Sequence, residues 1–401
     1  WEASPDAKVW TFKLRKGVEF HSGKTMTADD VIASLNHHRG EDSKSAAKPL
    51  LATVEDISAD GDDTVVVTLN AGNADFPFYM TDYHLAILPS DGEGNVDAMS
   101  GDGTGPYKLE NFEPGVGAMT SRFENYFKGA DRQHFDSFEM LVLTDTAART
   151  NAMTTGEVDF MERADLKTVH LLERRPGVKV LKTDGTQHYT MPMITTKDPY
   201  TDNNVRMALK HAIDREDLLE KILRGYGAVG NDHPIGTANR YHADLEQRTY
   251  DPDKAKFYAK KAGMENLAVD LSAADAAFAG AVDAAVLFKE HAAKAGIDVN
   301  VVREPNDGYW SDVWMAKPFC MCYWGGRPTE DQMFTTAYAE GVPWNDTFWS
   351  HERFNKLLVE ARAELNESKR AEMYAEMQSI VRDEGGVIVP LFASYVDAHT
   401  D

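Results

Sequence analysis

The sequence predicts an α/β protein built from two or three domains. At 401 residues the chain is too long for one ordinary hydrophobic core. Hydrophobic residues make up 42% of it and aromatic residues 10%, which is enough apolar surface for a globular fold without disulfides. Between residues 266 and 324, strand-like and helix-like segments alternate, and this order favours parallel strands joined by right-handed crossovers.

Local patterns predict the individual elements in chain order. The segments "AKVWTFKLR" and "DTVVVTL" are strand-like, and between them "TADDVIASLNHHR" predicts a helix with Thr27 as its N-cap. The segment "TDTAARTNAMTTG" predicts a helix that ends at Gly156. Two capped helices follow residue 199, the second running from Asp214 to Gly225, and "PFCMCYW" and "VIVPLF" predict later strands.

Composition excludes several classes of partner. Acidic residues outnumber basic ones 65 to 42, for a net charge of −23, and no cluster of Lys or Arg could neutralise phosphates, so nucleic acid is not expected as a partner. No run of about 18 apolar residues predicts a membrane-spanning helix. The chain opens within a strand-like pattern and has no visible signal peptide, so we expect that an upstream segment has been removed.

The sequence contains no motif for a metal, a cofactor or catalysis. Cys320 and Cys322 share one face of a predicted strand, where they are badly placed to bond to each other, and we expect them to be reduced core residues. "GVEFHSGKT" has five residues where a phosphate-binding loop has four, and neither G-x-S-x-G nor H-E-x-x-H occurs. We therefore expect no cofactor, no metal and no enzyme activity.

The segment "YWGGRPTEDQMF" carries the main candidate for ligand binding. Arg327 stands where a predicted strand leaves the sheet, and ligands commonly bind at such ends. Gly325 and Gly326 would let the backbone approach a ligand, and Tyr323 and Trp324 offer flat apolar surface. The fixed fork of an arginine suits a carboxylate or a phosphate.

An alternative for this arginine stays open from the sequence alone. Arg327 could instead pair with Glu330 or Asp331 and so hold its own loop. Both roles are compatible with each other.

Seven blocks along the chain carry a family resemblance. They are, in order, "WTFKLRKGVEFHSGKTMTADDV", "GTGPYKLENFEPG", "ENYFKG", "GEVDF", "DNNVRMALKHAIDREDLLEKILRGYG", "YDPDKAKFYAKKAG" and "GGVIVPLFASY". With these blocks in this order, the chain resembles the bacterial extracellular solute-binding proteins of family 5, the periplasmic receptors of ABC importers. The well-known members of that family bind dipeptides and oligopeptides.

The resemblance implies a periplasmic-binding-protein type of α/β fold, with two lobes, a hinge, a ligand cleft and a small inserted domain. The implied layout is the small domain over 1–95, lobe I over 96–195, lobe II over 196–384 and a return to lobe I over 385–401. The usual start of lobe I and its C-terminal tail are expected to lie outside this sequence. The resemblance also implies a monomer in the periplasm, a small-molecule or short-peptide ligand and an ABC permease in the inner membrane as partners.

One position departs from the pattern of the peptide-binding members. In those members the tryptophan that matches Trp324 is followed three positions later by an aspartate that takes the ligand's ammonium group, and this chain has Arg327 there. A cation would repel a peptide N-terminus, so we predict a ligand that presents a carboxylate or another anion at that point.

Two alternatives to this prediction remain open. A peptide receptor could have moved its acidic residue to Asp346, Glu304 or Asp307. An enzyme on the same fold is a second alternative. A nickel or haem carrier is disfavoured, because no ligands cluster in the sequence.

Further candidates for the cleft come from the same layout. Tyr83 and His84 fall where the small domain would pass into lobe I, and His188, followed by Tyr189, should cross near the hinge. Tyr83 and His84 could instead belong to an ordinary surface loop, and Tyr189 could instead pack in the core. Three tryptophans could supply stacking faces for a ligand, although tryptophans are mostly buried for packing: Trp310, Trp344 and Trp349. The carboxylate of Asp346 could take a ligand cation, or it could instead begin the following helix.

Overall fold

The protein forms two compact units in a computed structural model that describes residues 1–400. Unit 1 comprises Trp1–Leu143 and Arg362–Asn366, and unit 2 comprises Thr144–Ala361 and Glu367–Asp401. The four-part layout with boundaries near residues 95, 195 and 384 stays a prediction.

Unit 1 contains two antiparallel sheets. Its elements are β1 Glu2–Ala3, β2 Val9–Lys13, α1 Ala28–His37, β3 Val54–Ala59, β4 Thr64–Leu69, α2 Phe76–Tyr79, β5 Tyr107–Glu113, β6 Gly117–Arg122 and β7 Ser137–Leu141, with 3-10 turns at Lys48–Leu51 and Ala130–Arg132. The first sheet has the strand order β1-β2-β4-β3 and packs against helix α1, and the second has the order β5-β6-β7.

The start of α1 confirms the predicted N-cap. The carboxylate of Asp30 reaches back to accept a hydrogen bond from the backbone N–H of Thr27, with a separation of 2.9 Å. Asp30 is fully buried and also receives the ammonium group of Lys24 at 2.5 Å. The hydrogen bond from Thr27 to Asp30 satisfies a backbone N–H that the start of a helix would otherwise leave unpaired.

Unit 2 contains the remaining helices and strands, except that the last two residues of α11 belong to unit 1. They are α3 Thr146–Thr155, β8 Phe160–Met161, α4 Val169–Glu173, β9 Val178–Thr183, β10 His188–Pro192, α5 Asn203–His211, α6 Arg215–Lys221, β11 Gly227–Val229, α7 Pro252–Lys261, β12 Ala268–Ala273, α8 Ala281–Ala293, β13 Asp298–Arg303, α9 Tyr309–Asp312, β14 Cys322–Trp324, α10 Glu330–Ala337, α11 Glu352–Ala363, α12 Glu367–Glu384, β15 Val387–Ala393 and β16 Tyr395–Thr400.

Two of the predicted helix ends have different outcomes. Helix α3 ends as expected, because Gly156 adopts a left-handed conformation (φ 78°) and its N–H bonds back to Ala152. Helix α6 begins at its predicted cap, Asp214, but ends at Lys221, so the prediction that it reaches Gly225 is wrong. The chain has already left the helix when Gly225 makes its own turn (φ 80°).

The predicted parallel pairing is confirmed among the consecutive strands of residues 266–324. Strands β12 and β13 are parallel, and Cys320, in the third predicted strand, forms a parallel bridge with Ser272 of β12. The end of that third strand, β14, also pairs antiparallel with β10, in a sheet of order β11-β15-β10-β14, and the sequence analysis did not predict this neighbour. The partner β10 lies more than 100 residues earlier, and a pattern of consecutive elements cannot predict such a neighbour.

The chain crosses twice between this sheet and a three-stranded antiparallel sheet of order β8-β16-β9. One crossing runs from β9 to β10 through residues 184–187, and the other runs from β15 to β16 through Ser394. The two crossings lie side by side, because the hydroxyl of Ser394 donates to Oδ1 of Asp184 at 2.6 Å.

A buried ionic cluster stabilises unit 2. Asp232 is fully buried and lies 2.6 Å from Nη2 of Arg215 and 2.8 Å from Nε of Arg248. The buried ammonium group of Lys210 donates to the carbonyls of Arg382 and Gly385, both at 2.9 Å, at the C-terminal end of α12. Cations are favoured at the C-terminus of a helix, so the cluster ties α5, α6 and α12 together.

We expect Asp232→Asn to lower the free energy of unfolding by about 3–5 kcal/mol, because it removes the one fully buried carboxylate that pairs with both Arg215 and Arg248. Urea denaturation measures the change. Asp383→Asn is the matched control, since Asp383 also contacts Arg248 (2.7 Å) but is about half exposed, and an exposed pair contributes about 0–1 kcal/mol. Equal effects of the two substitutions would contradict this account.

Candidate functional site

The candidate site starts where β14 ends. Strand β14 leads into a loop of five residues, and helix α10 begins directly after it. Oγ1 of Thr329 accepts a hydrogen bond from the N–H of Gln332 at 3.2 Å and so caps α10. The loop that carries Arg327 is therefore fixed at both ends by regular structure.

Arg327 is half-buried and folds along its own loop. Its Nη1 atom donates to the carbonyls of Gly325 and Gly326, at 3.1 and 3.3 Å. The backbone oxygen of Arg327 accepts a hydrogen bond from Asn239 at 3.4 Å. The guanidinium group is thus held near the end of β14. Binding of an anion by this side chain stays a prediction, and so does its pairing with Glu330 or Asp331.

Gly326 makes a close approach to the first crossing segment. A Cβ atom built on it would lie 1.6 Å from Oγ1 of Thr186, a distance that no side chain could tolerate without displacing the backbone. The protein itself therefore requires a glycine here. A role of Gly326 in approaching a ligand stays a prediction.

His188 and Tyr189 lie on opposite faces of β10. In the ladder with β14, His188 is opposite Trp324 and Tyr189 is opposite Tyr323, so the four residues form two cross-strand pairs on the two faces. Tyr189 is 9% exposed and stacks on Phe278 with ring centroids 3.7 Å apart, so it belongs to the core.

His188 is fully buried beside Phe392, with ring centroids 5.5 Å apart. Its Nδ1 atom lies 3.0 Å from the carbonyl oxygen of Thr186. Burial, together with a smaller effect of the positive charge of Arg327, lowers the pKa of His188 to about 4. The imidazole is therefore neutral at pH 7.

Four tryptophans gather beside β14. Trp314, Trp324 and Trp344 make mutual edge-to-face contacts with centroids 6.0–6.2 Å apart. Trp310, which is 41% exposed, contacts both Trp314 and Tyr323. The sequence analysis missed Trp314, although its position four residues after Trp310 in a short helical segment was an available signal.

Trp349, the other tryptophan offered as a stacking surface, is buried. It packs against Phe354 and His351, away from solvent. Its role is in the core formed with α11.

Asp346 lies at the base of the tryptophan cluster. Its Oδ2 atom accepts hydrogen bonds from Nε1 of Trp314 at 3.1 Å and Nε1 of Trp324 at 3.2 Å, and the residue is only 5% exposed. Burial raises the pKa of Asp346 to about 6, although the two indole donors oppose the rise. Helix α11 begins six residues later, so the alternative that Asp346 starts that helix is wrong.

Tyr83 and His84 belong to unit 1, whereas the other predicted site residues belong to unit 2. Tyr83 is 68% exposed, and its ring lies against that of His84 with centroids 4.0 Å apart. Nδ1 of His84 lies 2.7 Å from Oδ1 of Asp82. Their contribution to ligand binding stays a prediction.

A cavity of about 690 Å³ adjoins the two crossings in unit 2. Asp184 and Ser394 line it from the crossings, and Phe392 lines it from β15. The segment 227–247 supplies most of the remaining lining, including Asp244, Glu246, His233 and His242, and no lysine or arginine of residues 1–400 lines it. The sequence analysis missed this segment, which has no recognisable motif.

Cys320 and Cys322 are buried and free, as predicted. Within residues 1–400, no three His, Cys, Asp or Glu side chains are arranged to hold a metal ion. In the same part of the chain, no helix has the length and apolar character needed to cross a membrane.

The protonation of Asp346 gives a prediction about pH and stability. A carboxyl group whose pKa rises from 3.8 to about 6 on folding contributes stability below pH 4 that is lost as the pH rises through 6. Two pKa units correspond to about 3 kcal/mol. Asp346→Asn should therefore gain about that much unfolding free energy relative to the wild type between pH 4 and pH 7 in chemical denaturation, and a pH-independent difference would contradict this.

Comparisons with known proteins agree with this fold. The family model described as "Bacterial extracellular solute-binding proteins, family 5 Middle" matches residues 1–346. The chain is 23% identical to the dipeptide-binding protein of Escherichia coli (strain K12), with 97% of this chain and 79% of that protein covered.

Two solved structures have the same fold. The PBP AgaA from A.tumefacien R10, in complex with agropinic acid, has a TM-score of 0.89 and 22% identity, covering 100% of this chain and 83% of that one. The periplasmic binding protein DppA from Helicobacter pylori, in complex with the peptide STSA, has a TM-score of 0.88 and 23% identity, covering 100% and 84%. Because the family model matches residues 1–346, which are most of this chain, the chain belongs to family 5 of the bacterial extracellular solute-binding proteins.

Proposed function

We propose that this protein is the periplasmic receptor of an ABC importer and that it captures a small polar solute bearing a carboxylate. The observation that carries the choice of ligand is Arg327, a half-buried guanidinium at the carboxyl end of β14. Membership of the family supports the role as a receptor. The receptor acts as a monomer, breaks no bond in the solute and delivers it to a membrane permease.

The setting of Arg327 supports recognition of an anion. The loop carbonyls that hold Nη1 fix the direction of the guanidinium group, so little side-chain entropy remains to be lost when a ligand binds. The neighbouring His188 is neutral at pH 7, so of these two side chains only Arg327 offers an anion a positive charge. A charge-assisted hydrogen bond from a partly buried arginine contributes about 1.5–3 kcal/mol.

The two crossings support a hinge mechanism. Residues 184–187 and Ser394 join the four-stranded sheet of unit 2 to its three-stranded sheet, and both segments are short. Rotation about these segments would close the two sheets over the solute and expel water from it. The closed form is the one that the permease recognises.

A short peptide with a free amine is the second candidate ligand. The cavity beside the crossings favours it, because three carboxylates line that cavity: Asp184, Asp244 and Glu246. Asp346 is a poor candidate for the relocated acidic residue, since it is 5% exposed and already binds two indole N–H groups.

The preference for a carboxylate is tested on the solute that co-purifies with the protein, identified by mass spectrometry. We expect Arg327→Asp to weaken its binding by about 100-fold in calorimetry, because an attractive pair is replaced by a repulsive one. Arg174→Asp, at an exposed position after α4, makes the same change of charge and should have little effect. Unchanged binding of a carboxylate solute by Arg327→Asp would reject the proposal.

A thermal-shift comparison separates the peptide alternative. Under the carboxylate proposal, dialanine should raise the melting temperature no more than N-acetyl-dialanine does, because the free amine meets a cation. Stabilisation by dialanine that disappears on acetylation would favour the peptide receptor instead.

A further inference from the structure

The cavity beside the two crossings has an acidic rim. Its volume of about 690 Å³ falls within the range of about 300–1,000 Å³ that is typical of small-molecule sites. Three carboxylates line it, and all three are exposed: Asp184, Asp244 and Glu246. No lysine or arginine of residues 1–400 lines it, so its entrance attracts cations and repels anions.

Two of these three carboxylates have no cationic partner in the part of the chain that the structure describes. Asp184 pairs with Lys182 at 3.3 Å and accepts a hydrogen bond from the hydroxyl of Ser394. Asp244 and Glu246 form no ion pair with any residue of 1–400. Their charge is therefore free to pair with a ligand.

A buried histidine lines the same cavity. His233 is only 2% exposed, and its Nδ1 atom is buried without a hydrogen-bond partner among residues 1–400. The ring of His242, which also lines the cavity, lies beside it with centroids 6.1 Å apart. Buried polar groups without a partner are rare in native proteins, so an unpaired imidazole in the wall of a cavity indicates a ligand.

Neither imidazole adds a positive charge at pH 7. Burial lowers the pKa of His233 to about 3, and desolvation also lowers the pKa of His242. A neutral imidazole has one nitrogen that accepts a hydrogen bond. The cavity thus offers a cation two unpaired carboxylates and an uncharged acceptor.

The one nearby arginine that contacts the lining is already paired. Nη2 of Arg382 donates to the backbone carbonyl of Glu246 at 2.7 Å, and its Nε donates to Oδ1 of Asn231 at 3.3 Å. Nη1 of Arg382 lies 2.6 Å from the carboxylate of Asp383. Apolar side chains complete the wall, including Ile235 and Phe392, and they suit a short hydrocarbon chain.

We propose that this cavity is a second binding site and that its ligand is a small organic amine without a carboxylate. The inference goes beyond the proposed function and does not rest on it, since Arg327 does not line the cavity. An ammonium group has three donors and no acceptor, which matches the carboxylates of the rim and the acceptor nitrogen of His233. The C-terminal carboxylate of a peptide would be repelled by the same rim, so a simple amine fits better than a dipeptide.

The test compares cadaverine with 1,5-pentanediol, which has the same five-carbon chain and no charge. In calorimetry we expect cadaverine to bind the wild-type chain at one site and pentanediol to bind at least about 10-fold more weakly. The double variant Asp244→Asn with Glu246→Gln should weaken cadaverine about 3- to 10-fold, because two exposed pairs are lost. His233→Phe, which keeps a ring but removes the acceptor, should weaken it about 10-fold.

A matched control separates a site from general attraction to an acidic protein of net charge −23. Glu290→Gln with Glu372→Gln removes two exposed charges of unit 2 that do not line the cavity, and it should leave cadaverine binding unchanged. Equal effects of the two double variants would overturn the inference. The melting temperature without ligand detects damage to the fold by His233→Phe, and the exposed rim positions keep the test decisive if that variant is unstable.

The remaining outcomes keep this inference apart from the proposed function. Arg327→Gln should bind cadaverine as the wild type does, and loss of cadaverine binding in that variant would place the amine at the Arg327 loop and overturn the inference. Absence of cadaverine binding, or equal affinity for pentanediol, also overturns it. Neither of these last two results bears on the carboxylate receptor, which Arg327→Asp tests.

Discussion

The ladder of hydrogen bonds between β10 and β14 is the constraint on which the candidate site depends. It places His188 opposite Trp324 and Tyr189 opposite Tyr323, so each face of the sheet receives one aromatic residue from each strand. Because side chains alternate along a strand, a shift of one residue would exchange the two faces. Trp324 would then lose Asp346, and Tyr323 would lose Arg163.

The same register sets the direction in which the chain leaves the sheet. After Trp324 the backbone passes so close to Thr186 that only a glycine fits at position 326. The next side chain, Arg327, is consequently held beside the first crossing rather than on a free surface loop. Arg327 therefore lies beside both the sheet and the crossing, and this position is the reason we propose it as the ligand-binding residue.

Buried charge has two different uses in unit 2. Around Asp232, carboxylate and guanidinium groups lie at ion-pair distance, and the cluster holds three helices together. Asp346 instead accepts hydrogen bonds from two indole N–H groups. A carboxylate in that environment is costly, and its two hydrogen bonds orient Trp314 and Trp324 beside each other.

The sequence alone determined the class of fold, most of the regular elements and the family, because these depend on local periodicity, caps and the order of recurring blocks. It indicated Arg327 as a candidate ligand-binding residue, because the peptide-binding members of the family have an aspartate at this position. The partners of these residues were decided only by the tertiary structure. Tyr323 and Arg163 are 160 positions apart and Trp314 and Asp346 are 32 apart, and antiparallel pairing with a strand from far upstream brings such residues together, which no local pattern encodes.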